Sequence, residues 1–345
     1  MIEKILKERN VPDFLDRAEM LEIMQREVYG YLPEKPTAIS FKAEKQDGFF
    51  CAGNATLEKV DITTVLRDQE FTFPVYAMIP KGEGPFPFVV QVNFYDDIHN
   101  RYTPIEEIID QGVAVLMFCY NNVSRDNPDF TDGLAKILYP DGKRKNSTDP
   151  GKIAMWAWAA QRVMDYAETV DKLDKTRSAV AGHSRLGKTA LLCGATDHRF
   201  KFVYSNDSGN TGAAISRGKV GERVDDIMRM FPYWYCENYG KYRNNEDAMP
   251  FDQNYLTALS YPNYLYIASA KEDTWADPDS EFLNAYLTGK YYERQGAYGF
   301  VCENRLPQVG DTYHEGSVGY HLRNGEHFFS RNDWNLFIKF FKSKG

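Results

Sequence analysis

Residues 178–192 read SAVAGHSRLGKTALL. The apolar run from Ser178 to Ala181 predicts a short buried strand, and the residues from Lys188 onward predict an apolar helix. Between the two lies a Gly-x-Ser turn, which holds Ser184 clear of the predicted sheet, beside the backbone N–H groups that open the helix. Because those N–H groups can stabilise an oxyanion, the turn suits a nucleophilic serine.

The second glycine of this motif is displaced. The usual nucleophile turn is G-x-S-x-G, whereas here Leu186 takes the place of the second glycine and Gly187 follows one residue later. A bare G-x-S-x-x-G arises by chance about once in ten chains of this length, since glycine and serine are common residues. The strand–turn–helix setting, more than the motif alone, therefore indicates a nucleophile.

The pattern on either side of the motif predicts an α/β fold. Further strands are expected at residues 38–42, 60–66, 71–78, 88–93, 113–118, 202–205, 264–269 and 319–322, and further helices at 105–111, 153–170 and 333–341. A Gly-Pro segment at 81–85 predicts a hairpin-type loop, and the polar residues 121–150 predict a long surface loop. The alternation of strands and helices implies a mostly parallel sheet that is covered on both faces.

No internal repeat and no linker divides the sequence. We therefore expect a single domain over residues 1–345, in which residues 1–35 form an N-terminal helical segment. Residues 212–260 are irregular in pattern and rich in aromatic side chains, which suits an insertion that walls an active-site cleft.

Composition and charge exclude several classes of protein. The formal net charge is −8 and no basic cluster stands out, so nucleic acid is not an expected partner. The five cysteines lack C-x-x-C spacing, which argues against a disulfide framework or a zinc site and suits a reducing compartment. No stretch approaches about 18 uncharged apolar residues, so no membrane partner is expected. As written, the sequence predicts a cytoplasmic protein, or a secreted or periplasmic one if a leader has been removed.

The chain carries a serine, two acids and a histidine in the chain order of α/β-hydrolases. Ser184 follows one predicted strand, Asp207 follows the next, and Asp273 follows the one after. His327 lies in a loop just before the final predicted helix. In such a triad the histidine accepts the serine proton, and a buried carboxylate holds the histidine tautomer and stabilises the imidazolium.

Simpler explanations exist for these residues. Asp207 can cap a turn through its side chain, and Asp273 can cap a helix that begins near Pro278. Five other histidines compete with His327 for the role of base: His99, His183, His198, His314 and His321. Of these, the one beside the turn, His183, is interpreted as a packing residue. Neither H-x-x-H nor H-E-x-x-H occurs, so we expect no metal and no cofactor.

Several stretches together resemble the glucuronoyl esterases of carbohydrate esterase family 15. The nucleophile turn of that family is G-x-S-R-x-G-K, which residues 182–188 match. Further matching stretches are SNDSG at 205–209, GERV at 221–224, DTWADP at 273–278, GYH at 319–321, GEH at 325–327 and DW at 333–334. The resemblance runs from about residue 150 to the C-terminus. It implies an α/β-hydrolase fold, a three-layer αβα sandwich with a mostly parallel central sheet.

The resemblance implies roles for the catalytic residues. Ser184 is expected to be the nucleophile and His327 the base, while Arg185 is expected to bring its backbone N–H and its guanidinium to the oxyanion. Members of the family place the triad acid after either of two neighbouring strands, and this sequence has an aspartate at both places. Fungal relatives often carry a glutamate at the place of Asp207, and the shorter aspartate reaches less far. We therefore favour Asp273 as the acid, with Asp207 as its partner or substitute.

The resemblance also implies a substrate, a uronic-acid ester of a saccharide. Lys188 and Glu222 are expected to hydrogen-bond sugar hydroxyls, and Trp275 is expected to close over the sugar. The alternative is that Lys188 and Glu222 form a solvated charge pair and that Trp275 packs in the core. The expected reaction is hydrolysis of a glucuronic or 4-O-methylglucuronic acid ester through an acyl-enzyme. An acetyl xylan esterase or another carbohydrate esterase on the same fold is the first alternative. A non-catalytic carbohydrate-binding protein is the second.

Overall fold

The computed structural model describes residues 1–344. The α-helices of this range are α1 (Ile2–Arg9), α2 (Arg17–Met24), α3 (Ile105–Asp110), α4 (Gly133–Leu138), α5 (Lys152–Ala167), α6 (Arg185–Thr196), α7 (Val224–Met230), α8 (Asn254–Ala258), α9 (Pro278–Arg294) and α10 (Arg331–Ser343). The strands are β1 (Ala38–Phe50), β2 (Ala55–Leu66), β3 (Gln69–Pro80), β4 (Phe86–Asn93), β5 (Ala114–Cys119), β6 (Leu173–His183), β7 (Phe202–Asn206), β8 (Tyr264–Ala270), β9 (Thr312–Tyr313) and β10 (Val318–Arg323). Within this range, none of the helices has the length and apolar character needed to span a membrane.

The strands form one sheet in the order β1-β2-β3-β5-β4-β6-β7-β8-β10-β9. From β5 to β10 in this order, each strand is parallel to its neighbour. The strands at the two edges, β1 to β3 on one side and β9 on the other, are antiparallel to theirs. The predicted mostly parallel sheet is therefore confirmed.

Helices cover both faces of the sheet and complete three layers. On one face α5 and α6 pack on β4, β6 and β7, and on the other face α3 packs on β5 and α10 packs on β7 and β10. The side chains of β6 alternate between the two cores, with Val180 in one and both Ala179 and Ala181 in the other. A strand that is buried on both faces needs apolar residues at every position, which explains the continuous apolar run in the sequence.

The structure differs from the sequence pattern in several places, three of them in the first half of the chain. Residues 81–85 do not form a hairpin, because β5 lies between β3 and β4 in the sheet and pairs antiparallel with β3. Residues 121–150 are more than a surface loop, since they include α4, which buries Leu134 and Ile137 in the core. Residues 10–16 interrupt the N-terminal helical segment between α1 and α2.

Neighbouring parallel strands end at the same edge of the sheet, and a predicted site residue follows each of them. Ser184 comes directly after β6, and Asp207 comes directly after β7. Asp273 follows β8, and His327 follows β10. The carboxyl ends of parallel strands share one edge, so this topology brings together residues that are far apart in the chain.

Candidate active site

Ser184 occupies a strained turn between β6 and α6. Its φ of 57° and ψ of −128° lie in a region that residues other than glycine rarely adopt. The turn requires glycine at Gly182, because a Cβ there would lie 2.1 Å from the carbonyl oxygen of Leu186. The displaced second glycine, Gly187, is also required by packing, since a Cβ there would lie 2.9 Å from Ser205 Oγ on β7. Late placement of the second glycine thus reflects close packing of α6 against the neighbouring strand.

All eight residues singled out in the sequence line one cavity of about 430 Å³. They are Ser184, Arg185, Lys188, Asp207, Glu222, Asp273, Trp275 and His327. Residues 212–260 contribute Met230, Phe231 and Trp234 to its wall in addition to Glu222. The fold therefore gathers the predicted site residues in one place.

Asp273 contacts the histidine directly. The His327 Nδ1–H donates to Asp273 Oδ2 over 2.6 Å, and the N–H of Ala276 donates to Oδ1 over 3.1 Å. The carboxylate is 3% exposed, whereas the imidazole is 43% exposed. Burial raises the pKa of Asp273, but the hydrogen bond and the positive charge of His327 outweigh burial, so this pKa lies below its usual value. A carboxylate can only accept, so Nδ1 carries the proton and Nε2 is left as a base.

Asp207 has different partners. Its Oδ1 accepts the Ala270 N–H over 2.7 Å, and its Oδ2 accepts from the guanidinium of Arg323 over 3.3 Å. Burial raises the pKa of Asp207 well above its usual value. Within residues 1–344 Asp207 makes no hydrogen bond to His327, so the aspartate that contacts this histidine is Asp273.

Of the six histidines, His327 is the one that lines this cavity. His183 lies behind it, with the two ring centroids 4.4 Å apart, and its Nδ1–H donates to Asn206 Oδ1 over 2.6 Å. Burial, and then the charge of His327, lower the pKa of His183 to about 3, so this ring is neutral near pH 7 and packs against His327. The other histidines have partners elsewhere: His99 packs on Phe50, His198 contacts Arg17, and His314 and His321 share the hydroxyl of Tyr266.

The side chain of Arg185 is held by a residue that the sequence did not reveal. Its guanidinium donates to the carboxylate of Asp126, which also accepts the indole N–H of Trp234 over 2.6 Å and the hydroxyl of Tyr120 over 3.0 Å. The guanidinium carbon lies 4.7 Å from the centre of the Trp234 ring. Asp126 belongs to the segment that was predicted to be a surface loop, and no local pattern marks its partner 59 positions away.

Lys188 and Glu222 form a buried ion pair, with 2.9 Å between Nζ and Oε2. The alternative of a solvated charge pair is therefore wrong. Burial lowers the pKa of Lys188, and the charge of Glu222 opposes that shift. Trp275 stands 47% exposed at the cavity, and its carbonyl accepts the Glu222 N–H over 2.9 Å. The cavity thus offers fixed charged donors and acceptors beside an open aromatic face.

A second cavity of about 370 Å³ adjoins the first at the nucleophile. The two cavities share Ser184, Arg185 and His327. The second one is aromatic, and its remaining lining is Phe94, Tyr95, Arg101, Tyr102, Tyr120 and His183. The rings of Tyr95 and Tyr102 are stacked, with centroids 5.8 Å apart. Ser184 therefore lies between a charged cavity and an aromatic one.

The same residues include a group that could hold a metal ion. Asp207, Asp273 and His327 offer three ligand atoms within 4.8 Å of one another. An ion there would have to break the bond between Asp273 and His327 and share Asp207 with the positive charge of Arg323. The donor set is thus already engaged, and the absence of a metal requirement stays a prediction.

Ser184, Asp273 and His327 follow β6, β8 and β10, which is the chain order of serine, acid and histidine in α/β-hydrolases. They lie at the carboxyl edge of a parallel sheet with helices on both faces, where this class of fold binds its substrates. Fold and site together define an α/β-hydrolase of the serine-nucleophile class.

Comparison with known proteins gives the family within that class. The family model of the fungal glucuronyl esterases matches residues 62–296, more than half of the chain. The structure superposes on a glucuronoyl esterase from Solibacter usitatus with a TM-score of 0.86 and 32% identity, covering 95% of this chain and 91% of that one. The chain belongs to the glucuronoyl esterase family, carbohydrate esterase family 15, as the resemblance predicted.

Curated relatives are longer than this chain. A carbohydrate esterase from an unknown prokaryotic organism is 39% identical over 244 residues, which is 68% of this chain and 54% of the relative. A 4-O-methyl-glucuronoyl methylesterase from Podospora anserina is 25% identical over 309 residues, which is 86% of this chain and 58% of the relative. The chain thus spans somewhat more than half the length of these two relatives.

Proposed function

We propose that this protein is a glucuronoyl esterase, which hydrolyses the ester formed by the carboxyl group of glucuronic or 4-O-methylglucuronic acid in a saccharide. The observation that carries the proposal is a single cavity lined both by Ser184, His327 and Asp273 and by the ion pair of Lys188 and Glu222. The names of the relatives support it, since one is a glucuronoyl esterase and another a 4-O-methyl-glucuronoyl methylesterase.

In this mechanism Ser184 Oγ attacks the ester carbonyl while His327 Nε2 takes its proton. Asp273 keeps the proton of the neutral imidazole on Nδ1 and stabilises the imidazolium that forms. His327 then gives this proton to the alcohol oxygen, and the alcohol leaves as its bond to the carbonyl carbon breaks, so that Ser184 is acylated. Water, deprotonated by the same base, attacks the acyl-enzyme and releases the uronic acid and Ser184. Within residues 1–344 the Ser184 hydroxyl makes no hydrogen bond to His327, so the serine side chain turns toward Nε2 when substrate binds, as such contacts tighten in the complex.

The oxyanion of the tetrahedral intermediate would lie at the start of α6. The first N–H groups of a helix have no acceptor in a preceding turn. In α6 those of Gly187 and Lys188 donate to the Ser184 carbonyl, which leaves those of Arg185 and Leu186 for the oxyanion. Arg185 is the first residue of α6, and Asp126 holds its guanidinium beside the cavity. Donors that are fixed before the reaction stabilise the developing charge without reorganisation, which is commonly a large contribution to catalysis.

The sugar would occupy the charged cavity. Lys188 Nζ can donate to hydroxyls of the uronic acid, and Glu222 can accept from them, because both residues line the cavity. The open face of Trp275 suits the apolar face of a sugar ring. A plain acetyl ester offers none of these groups to the cavity, which is the reason to prefer a uronate over an acetyl group.

The alcohol portion of the ester would occupy the aromatic cavity. His327 must return its proton to the leaving alcohol oxygen, so the alcohol lies on the histidine side of Ser184. The aromatic cavity is the one that extends from these two residues away from Lys188 and Glu222. Its stacked tyrosines suit a flat, apolar alcohol.

An assay of matched esters tests the function. We would measure hydrolysis of methyl glucuronate, benzyl glucuronate, acetylated xylo-oligosaccharide and p-nitrophenyl acetate by the wild-type protein and by Ser184→Ala. We expect turnover of the uronate esters in preference to acetyl release from the oligosaccharide, and less than about a hundredth of that turnover in Ser184→Ala. Release of acetate without cleavage of uronate esters would overturn the proposal in favour of an acetyl esterase.

Two further expectations accompany this proposal. Residues 1–345 act as a single domain, in which residues 212–260 wall the cleft, as their contribution to the cavity lining supports. The reaction needs no metal and no cofactor.

A further inference from the structure

The guanidinium of Arg323 lies against the turn that carries His327, which comprises residues 324–328. Its Nη1–H donates to the carbonyl of Asn324 over 2.9 Å. Its Nη2–H groups donate to the carbonyl of Glu326 over 3.1 Å and to that of Phe328. The last two carbonyls flank His327 on either side in the chain. One side chain therefore fixes the backbone before and after the proposed base.

Two buried carboxylates hold Arg323 in turn. Its Nε–H contacts both oxygens of Asp333 at 2.9 Å, at the start of α10, and its Nη2–H donates to Asp207 Oδ2 over 3.3 Å. Asp207 is itself anchored by the Ala270 N–H at the end of β8. Arg323 is 10% exposed, so solvent screens these contacts little. The guanidinium thus connects the His327 turn to β8 and to the final helix.

The two residues that precede Asp273 hydrogen-bond to the same turn and to Arg323. The N–H of Lys271 donates to the carbonyl of Arg323 over 2.9 Å, and the N–H of Glu272 donates to that of Gly325 over 3.0 Å. These residues directly precede Asp273. The 2.6 Å bond between Asp273 and His327 therefore depends on how this turn is held, because the imidazole is 43% exposed and, within residues 1–344, hydrogen-bonds to Asp273 alone.

We propose that Asp207 and Arg323 are positioning residues for His327: Asp207 anchors Arg323, and Arg323 holds the turn so that the imidazole meets both Asp273 and Ser184. This proposal rests on the serine mechanism above. It gives Asp207 a role that differs from that of a second triad acid. A misplacement of about 1 Å can cost about a hundredfold in rate, so the effect of losing this restraint is measurable.

The test compares Asp207→Asn, Arg323→Lys and the double variant with wild type. Asparagine keeps the shape of Asp207 but can accept from only one of its two donors, the Ala270 N–H and the Arg323 guanidinium. Lysine keeps the charge of Arg323 but loses the forked donors. Arg331→Lys is the matched control, because Arg331 is 69% exposed and pairs with Glu107 on the surface. We would measure kcat and KM on methyl glucuronate and on p-nitrophenyl acetate, at a temperature where unfolding curves show each variant to be folded.

We expect kcat to fall about ten- to a hundredfold in both single variants, by a similar factor on both esters, with KM little changed. Because Asp207 acts through Arg323, the kcat of the double variant should be no more than about threefold below that of the less active single variant. Arg331→Lys should match wild type. Single variants within about threefold of wild type, losses that multiply in the double variant, or losses confined to KM would each overturn the proposal.

A probe that needs no sugar separates this proposal from the function itself. Labelling of Ser184 by a fluorophosphonate requires the same base but not the uronate cavity. We expect Asp207→Asn and Arg323→Lys to slow labelling as they slow turnover, even if the natural ester is not a glucuronate. Wild-type labelling rates in both variants would count against the positioning role, whatever the substrate. If Arg323→Lys does not fold, the isosteric Asp207→Asn decides the outcome alone.

Discussion

Asp126 and Arg185 form an ion pair across 59 positions of the chain, and Arg185 lines the same cavity as Ser184. The carboxylate also accepts the indole N–H of Trp234, so one residue fixes both the cation and the aromatic ring that covers it. The Arg185 guanidinium carbon also lies 5.6 Å from the ring centres of Phe94 and Phe231, so rings and carboxylate together hold it in place. The charged donor proposed for the oxyanion is therefore in place before substrate arrives.

Asp126→Asn tests this arrangement. The amide can still accept from Trp234 but no longer pairs with the guanidinium, so we expect kcat on a uronate ester to fall about ten- to a hundredfold with a small change in KM. Steady-state kinetics measure both constants. Asp141→Asn is the control, because Asp141 lies exposed in the same segment and faces Lys145 at 3.9 Å. A kcat within about threefold of wild type would remove Asp126 from the mechanism.

Asp273→Asn should be the more damaging of the two aspartate changes. The side-chain amide would favour the wrong histidine tautomer, and we expect a loss of turnover up to about 10⁴-fold. Asp207→Asn should cost much less, in line with its contact to Arg323 and not to His327. Turnover of methyl glucuronate by the two variants, prepared side by side, is the measurement. A severe Asp207→Asn beside a near-neutral Asp273→Asn would reverse the assignment of the acid.

Lys188 should matter for uronate esters and much less for small acyl esters. Lys188→Met alone leaves Glu222 buried without its partner, which costs about 3–5 kcal/mol of stability, so the double variant Lys188→Met/Glu222→Gln is the better test. We expect kcat/KM on methyl glucuronate to fall more than about tenfold, while that on p-nitrophenyl acetate stays within about threefold. Equal losses on the two substrates would make the ion pair structural and favour an acetyl esterase.

Tyr95→Ala addresses the alcohol portion of the ester. The ring is 37% exposed and stacked on Tyr102 in the aromatic cavity. Loss of an aromatic contact worth about 0.5–1.5 kcal/mol should lower kcat/KM on benzyl glucuronate about two- to tenfold and leave methyl glucuronate unchanged. Tyr298→Ala, at a ring that is 62% exposed and lines neither cavity, is the control. An unchanged ratio of benzyl to methyl activity would place the alcohol elsewhere.

Glu281 makes stability depend on pH. This carboxyl is fully buried. It accepts from the Ser269 hydroxyl on β8 over 2.5 Å and from the N–H of Gly209, two residues after Asp207, over 2.9 Å. Burial raises the pKa of Glu281 to about 7. An acid with a raised pKa binds its proton more tightly in the folded state, so its favourable contribution is complete below about pH 4 and is lost as the pH rises toward 7.

Comparison of wild type with Glu281→Gln isolates this effect. The free energy of unfolding of wild type, relative to the variant, should decline between about pH 4.5 and 7 by up to about 3 kcal/mol. Denaturant unfolding at several pH values measures it, and the neutral glutamine removes the titration while keeping the size of the side chain. A relative stability that is flat, or that rises with pH, would show that Glu281 is ionised throughout.

The residues that sequence alone could place are those whose chemistry is local. The run from Ser178 to Leu192 contains its own strand, turn and helix, so the nucleophile turn and its late glycine could be read directly. Asp273 and His327 could be placed because parallel strands end at one edge, which makes chain order a guide to proximity. Only the structure separates Asp273 from Asp207, since both follow neighbouring strands and differ only in their contacts.

What the sequence did not reveal depends on long-range pairing. Asp126 and Trp234 reach the site from polar or irregular segments with no periodic pattern, and their partners lie far away in the chain. The prediction of a hairpin at 81–85 is wrong for the same reason. Local turn signals cannot show that β5 lies between β3 and β4. Arg323 reads as an ordinary polar residue at the end of a strand, and only its buried partners show otherwise.

The outermost strand of the sheet bears on how copies of this protein behave at high concentration. β1 leaves one side of its backbone unpaired over residues 38–50, which is a potential template for strand pairing between molecules. Its exposed Lys42, Glu44, Lys45 and Asp47 bring charge to that border, and its register with β2 shifts twice near its end. A neighbouring chain meets an irregular, charged border there, so irregularity and charge protect the free edge of β1 against aggregation.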